Sequence, residues 1–214
     1  MLELKKEIIN FAKKLNTTNL SPLRSGNLSV RFRLKNKIDG FLITPSGIKY
    51  EELSTKDIVF VSLEGEYNKK ELEPSSEWRF HQDIYINKKC CKAIVHSHSL
   101  HATALSTHRF KIPAFNYMVA IAGGTDIKCA EYATFGTRQL SNNIIKALKD
   151  RTACLIANHG QITYGRSLGE AFELAEEIEN ISKQYILAKQ LGNPKILSLN
   201  QMKKVLNKFK NYKK

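Results

Sequence analysis

Apolar residues Leu4, Ile8, Phe11 and Leu15 recur at helical spacing through MLELKKEIINFAKKL, with lysines between them, which predicts an amphipathic first helix. In SGNLSVRFRL the residues Leu28, Val30, Phe32 and Leu34 alternate onto one face, the pattern of a half-buried strand. GFLITPSGIKY predicts a second strand ending at the turn Thr44-Pro45-Ser46-Gly47. DIVFVSL followed by Glu64-Gly65 predicts a hairpin into EYNKK. SSEWRFHQDIYIN reads as a helix opened by a serine cap, with Glu77 in its first turn.

KAIVHSH is the next predicted strand, and the helix-prone SLHATALS follows it directly. DIKCA predicts a short strand, Arg138 to Lys149 an amphipathic helix with a threonine near its start. ACLIAN and QITYG read as two strands hinged at His159-Gly160. A long helix from Ser167 to about Leu191 stops at Gly192-Asn193-Pro194, and a last helix spans Leu199 to Phe209. Hairpin-like neighbours outnumber strand-helix-strand crossovers. The expected fold is therefore an α/β, three-layer domain with a central, mainly antiparallel sheet covered by helices.

Within 214 residues there is no linker, low-complexity tract or repeat, so residues 1–214 are expected to form one domain. The first helix lacks the uninterrupted apolar core of a secretory signal. The longest apolar run, near Met118 to Ala122, is far short of a membrane span. A soluble, cytoplasmic protein with no membrane partner is expected. The four cysteines form no CxxC pair, which argues against a zinc ribbon or a redox motif. Cys129 and Cys154 read as structural residues. The net charge of +14 raises nucleic-acid binding. Its lysines are scattered, however, and densest at the C-terminus with no recognisable module, so no nucleic-acid partner is expected. The basic field suits an anionic small molecule better.

The candidate chemistry lies elsewhere. His96 and His98 share a strand face, about 6–7 Å apart along it. His159 in ANHGQ and Glu77 in PSSEWRFH follow or open other elements. Three neutral imidazoles and a carboxylate suit zinc, if the fold brings them together. His101 extends the run to HxHxxH and competes as a ligand, but a helix starting after His98 would turn it away. His81 and His108 read as structural or surface residues. The small polar turns Ser25-Gly26-Asn27, Thr44-Pro45-Ser46-Gly47 and Ser75-Ser76 can hold an anion, and Ser76 adjoins Glu77.

SGNLSVR, LITPSGI, PSSEWRFH, the HSH strand, AEYATFGTRQLS and NHG occur in order across nearly the whole chain. In this combination the sequence resembles the class II, zinc-dependent aldolase family that includes the L-fuculose-phosphate aldolases and a ribulose-phosphate 4-epimerase. The resemblance implies a homotetramer with active sites at subunit contacts. It implies zinc held by His96, His98 and His159, with Glu77 as fourth ligand and then as acid/base group once substrate displaces it. Asn27, Ser46, Gly47, Ser75 and Ser76 match the family's phosphate-binding turns, with Thr44 nearby. Tyr117 matches a proton donor from a neighbouring subunit, and Phe135 an aromatic at the same contact. Tyr212 matches a C-terminal tyrosine folding over the site. Asn158 departs from the histidine that relatives often carry before the third ligand.

The implied reaction is reversible cleavage of the ketose 1-phosphate L-fuculose 1-phosphate to dihydroxyacetone phosphate and L-lactaldehyde. Zinc serves as Lewis acid, with cobalt or manganese as alternatives. Rival activities are a 5-deoxypentulose-phosphate aldolase, a ribulose-phosphate 4-epimerase and a methylthioribulose-phosphate dehydratase. The epimerases typically carry Asp where Glu77 stands, which favours aldolase. A nucleic-acid or scaffold protein with a sealed structural zinc is the rival from another class.

Overall fold

The computed structural model describes residues 1–35 and 37–212, the last two by their helical backbone alone. The strands are β1 (Asn27–Arg33), β2 (Asp39–Ile43), β3 (Val59–Ser62), β4 (Ala93–Ser97), β5 (Cys129–Ala130), β6 (Ala153–Ile156) and β7 (Gly160–Gly165). They form one seven-stranded sheet in the order β3-β2-β1-β4-β7-β6-β5. The helices are α1 (Leu2–Thr17), α2 (Trp78–Asn87), α3 (Leu100–Ser106), α4 (Arg138–Ala147), α5 (Leu168–Gln190) and α6 (Leu199–Tyr212).

Alternation along the strands builds two apolar faces. Phe41, Ile94, Cys154, Ile156 and Ile162 pack with Phe80 and Ile84 of α2 and with Leu140 and Ile144 of α4. Their sequence neighbours Leu42, Ala93 and Val95 point the other way, onto Ile8, Ala12 and Leu15 of α1 and Phe172 of α5. A third cluster joins Ala153 and Leu155 to α3, α5 and Met202 of α6. Each fully buried Ile or Leu contributes about 1.5–3 kcal/mol over leaving it exposed, so both helix layers are held by many such increments. No helix among the described residues is long and apolar enough to cross a membrane.

The sheet corrects one expectation: it is mixed rather than mainly antiparallel. β5 runs parallel to β6, while the other pairings are antiparallel. The cause is α4, which carries the chain from β5 to β6 as a crossover, the only way to join parallel neighbours. The hairpin expected after β3 does not form either. The chain reverses at Gly65 (φ +88°), and the Ser62 amide donates to the Glu66 carbonyl at 2.8 Å. Pairing then ends, because Asn68-Lys69-Lys70 has nothing apolar to bury and the Asn68 side chain accepts from the Lys70 amide at 3.1 Å.

α2 begins one residue later than expected. Glu77 occupies the cap position, and no serine side chain caps the helix. The Glu77 amide instead donates to Ser75 Oγ at 3.4 Å, and the carboxylate is left to face Asn27 of β1 and His96 of β4, two central strands.

Candidate metal centre

Strand pairing brings three chain segments to one end of the sheet. β4 lies between β1 and β7, with Asn27 opposite His96 and Gln161 opposite Ser97. His96 is the penultimate residue of β4, on the α2 face, His98 lies just past the strand, and His159 sits in the turn from β6 to β7. Asn158, immediately before it, takes φ +54°, a left-handed conformation uncommon for a side-chain-bearing residue. Glu77 reaches the same point from the N-terminus of α2, where the helix dipole favours a carboxylate.

One donor atom from each of Glu77, His96, His98 and His159 lies within 4.8 Å of all the others. His96 Nε2 is 2.9 Å from His98 Nε2 and 3.1 Å from Glu77 Oε2. His159 Nε2 is 3.2 Å from Glu77 Oε1. The three imidazoles meet pairwise with centroids 4.8 Å apart and planes at 71°, 82° and 76°. Tetrahedral ligands at about 2.0–2.1 Å from a zinc would stand about 3.3–3.4 Å apart, close to these separations.

The donor set therefore fits a divalent cation. Glu77 Oε1 is buried without a hydrogen-bond partner, a group whose burial is costly unless something positive faces it. His96 Nδ1 lies 2.8 Å from the Gln161 carbonyl, to which it donates. That leaves Nε2 unprotonated and aimed at the cluster, as a metal ligand requires. His101 turns away, its Nδ1 2.6 Å from Glu179 Oε1, and does not join the set.

The electrostatics agree. Burial opposes the Glu77 charge most strongly. The fields of His96, His159 and His98 together outweigh it and hold the carboxyl down at about 2. Burial, reinforced by neighbouring imidazoles, lowers His98 to about 3 and His159 to about 4. Both rings are thus neutral at pH 7 and able to bind metal.

Glu77, His98 and His159 open onto a cavity of about 390 Å³ that also reaches Asn27, Ser46, Gly47, Ser75, Ser76 and Phe135. This is an accessible site, unlike the sealed structural zinc considered above. Two of its turns are pinned together. Pro45 and Pro74 form an isolated bridge, the Ser46 amide donates to the Glu73 carbonyl at 3.0 Å, and the Ser75 amide donates to the Thr44 carbonyl at 3.0 Å. Anion contacts from Ser46 and Ser75 must therefore come from their hydroxyls. Gly47 takes φ +77°, which suits glycine at this tight turn.

The expected residues do not all converge. Thr44 is buried beneath the cavity, its hydroxyl accepting from the Leu28 amide at 3.3 Å. Tyr117 is 55% exposed and does not line the cavity of its own chain. The side chain of Tyr212 lies outside the described residues.

Arg24, Tyr132 and Ala133 line the cavity without having been singled out from the sequence, and Asn158, noted there only as a departure from relatives, lines it too. Among the described lining residues, Arg24 alone carries a permanent positive charge, and it donates to the Gly47 carbonyl at 3.0 Å. Arg109 holds the rim, donating to Asn158 Oδ1 at 2.7 Å with its guanidinium 5.5 Å from the Tyr132 ring centre. His81, expected to be structural or surface, is fully buried and hydrogen-bonded to Asn27 and Ser29. It lies one helical turn after Glu77.

A profile of the class II aldolase and adducin N-terminal domain matches residues 6–186. The chain belongs to this family, and it is an enzyme, a class II aldolase. It is 44% identical over 211 residues to the 5-methylthioribulose-1-phosphate/5-deoxyribulose-1-phosphate aldolase of Rhodospirillum rubrum, covering 99% of this chain and 93% of that one. It is 42% identical over 211 residues to the L-fuculose phosphate aldolase of Escherichia coli K12, covering 98% and 95%. A solved structure of an L-fuculose 1-phosphate aldolase matches with a TM-score of 0.90 at 41% identity, covering 97% of this chain and 96% of that one.

Proposed function

We propose that residues 1–214 act as one zinc-dependent aldolase domain that reversibly cleaves L-fuculose 1-phosphate to dihydroxyacetone phosphate and L-lactaldehyde. The observation that carries this is a Glu/His₃ donor set opening onto a cavity walled by small polar turns. Likeness to L-fuculose phosphate aldolases supports the substrate.

Glu77, His96, His98 and His159 would hold the ion. Zinc there would supply Lewis acidity toward negative charge developing on the substrate's oxygens. Asn27, Ser46, Gly47, Ser75 and Ser76 bind the phosphate and fix the C3–C4 bond over the donor set. Glu77, displaced by substrate, moves the proton between carbon and solvent. Tyr117 of a neighbouring subunit in a homotetramer exchanges a proton with the aldehyde oxygen, Phe135 packs at that contact, and Tyr212 covers the site.

A second substrate class has its own support. The Rhodospirillum rubrum relative is named for 5-methylthioribulose and 5-deoxyribulose 1-phosphates. A 5-deoxypentulose 1-phosphate would leave the same phosphate product and a shorter aldehyde.

The test joins metal analysis of purified protein to a coupled assay for dihydroxyacetone phosphate over these ketose 1-phosphates. Stoichiometric zinc, and turnover lost on chelation and restored by zinc, are expected. Turnover surviving exhaustive chelation overturns the metal assignment. Product arising from 5-deoxyribulose 1-phosphate alone moves the substrate.

A further inference from the structure

A chain of buried polar groups runs from the metal centre into the layer between the sheet and α2. Asn27 Nδ2 lies 3.1 Å from Glu77 Oε2, and Asn27 Oδ1 lies 2.5 Å from His81 Nε2. His81 Nδ1 lies 2.7 Å from Ser29 Oγ, which is 2.8 Å from the Tyr85 hydroxyl. Every one of these residues is buried, and His81 is wholly inaccessible.

Only one proton arrangement satisfies them all. An ionised carboxylate can only accept, so the Asn27 amide must present its NH₂ to Glu77 and its oxygen to His81. That oxygen also only accepts, so His81 Nε2 must carry the hydrogen. A neutral imidazole with Nε2–H has an acceptor at Nδ1, so Ser29 must donate there and in turn accept from Tyr85. The direction is set from Tyr85 to Glu77 without a break. The His81 ring cannot rotate out of this line, because it stacks between Phe80 (centroids 4.9 Å apart, planes at 22°) and Phe41 (6.4 Å, 19°).

We infer that His81 is a positioning residue: through the Asn27 amide it fixes the Glu77 carboxylate, engaging Oε2 beside His96 and leaving Oε1 turned to His159. The inference rests on the Glu77 role proposed above. Without the His81 donor, the Asn27 amide is free to flip and present its oxygen to the carboxylate, two acceptors face to face. Glu77 would then leave the position that serves both as ligand and as proton carrier.

The test uses the purified full chain. Long-range ¹H–¹⁵N correlation on ¹⁵N-histidine-labelled protein, zinc-free and zinc-loaded, reports the tautomer of His81. The Nε2–H form in both is expected; an Nδ1–H or doubly protonated ring overturns the inference. His81→Phe keeps the stacking but removes both hydrogen bonds, and His81→Gln restores one donor and one acceptor. For a folded His81→Phe protein, zinc affinity and kcat should fall about 10–100-fold, the usual effect of losing a partner behind a metal ligand. His81→Gln should recover most of both. A folded His81→Phe protein with wild-type zinc affinity and kcat overturns the inference, and so does a His81→Gln protein no better than His81→Phe. If wild type binds zinc but cleaves no ketose 1-phosphate, the proposed activity falls, while zinc affinity and the tautomer still judge His81.

Discussion

Asn27 on β1 stands directly opposite His96 on β4 in their antiparallel pairing. The first polar turn and the innermost metal ligand are therefore fixed to one another by backbone, not by flexible side chains. Gly26, next to Asn27, makes this close approach possible. A Cβ there would sit 2.6 Å from the His96 carbonyl oxygen and 2.6 Å from Ser21 Oγ, at φ +80°. Gly26→Ala should destabilise the protein by about 1–3 kcal/mol, the cost of a side chain in a left-handed position plus the clash. Zinc content per chain should fall with it. Thermal melting and metal analysis read both.

Glu77 is asked to bind metal and to move a proton. Glu77→Gln keeps the shape and removes the charge. A loss of kcat of about 10²–10⁴-fold is expected, the usual contribution of a positioned acid/base group. KM should change little, because the phosphate turns remain. Steady-state kinetics at saturating zinc check this; a kcat within a few fold of wild type would remove Glu77 from proton transfer.

Arg24 lies at the cavity beside Gly47. A hydrogen bond to a charged group contributes about 1.5–3 kcal/mol, so Arg24→Met should raise KM for a ketose 1-phosphate about tenfold or more. With no part in the chemistry, kcat should hold. Inhibition by inorganic phosphate should weaken in parallel, which separates anion binding from a change in aldehyde fit.

Acid should destabilise the metal-free protein in a defined window. Burial lowers His81 to about 3, His98 to about 3 and His159 to about 4. In the unfolded chain each binds its proton near 6.5. Between about pH 6 and pH 5 the unfolded state therefore holds more protons than the folded one, and stability falls as pH falls. Removing one such histidine, as in His81→Gln, should reduce the slope by about 1.4 kcal/mol per pH unit. Denaturant titrations of wild type and variant at both pH values measure it.

Much of the fold was readable because its signals are local. The apolar, β-branched run of KAIVHSH gave β4, and Leu4, Ile8 and Leu15 gave α1. Strand direction is not local. β5 is two residues long, and nothing in Cys129-Ala130 tells parallel from antiparallel. The four donor residues were legible by residue type and by the i, i+2 spacing, and the turns by their Ser, Gly and Asn content. Thr44 resembled its neighbours in composition, yet strand pairing turned its hydroxyl inward. Arg24 looked like any loop arginine, because its place at the cavity depends on the distant Gly47 carbonyl. His81 read as bland for the same reason: its partners lie more than fifty positions away in sequence.

The bridge between Pro45 and Pro74 bears on how quickly a ligand can be taken up. Prolines fix φ and donate nothing, so the contact cannot grow into a ladder; it works as a clasp. Two loops fastened in advance have little disorder left to surrender when an anion arrives. Capture there should resemble a coin dropping into a slot, with no reshaping of the loops beforehand.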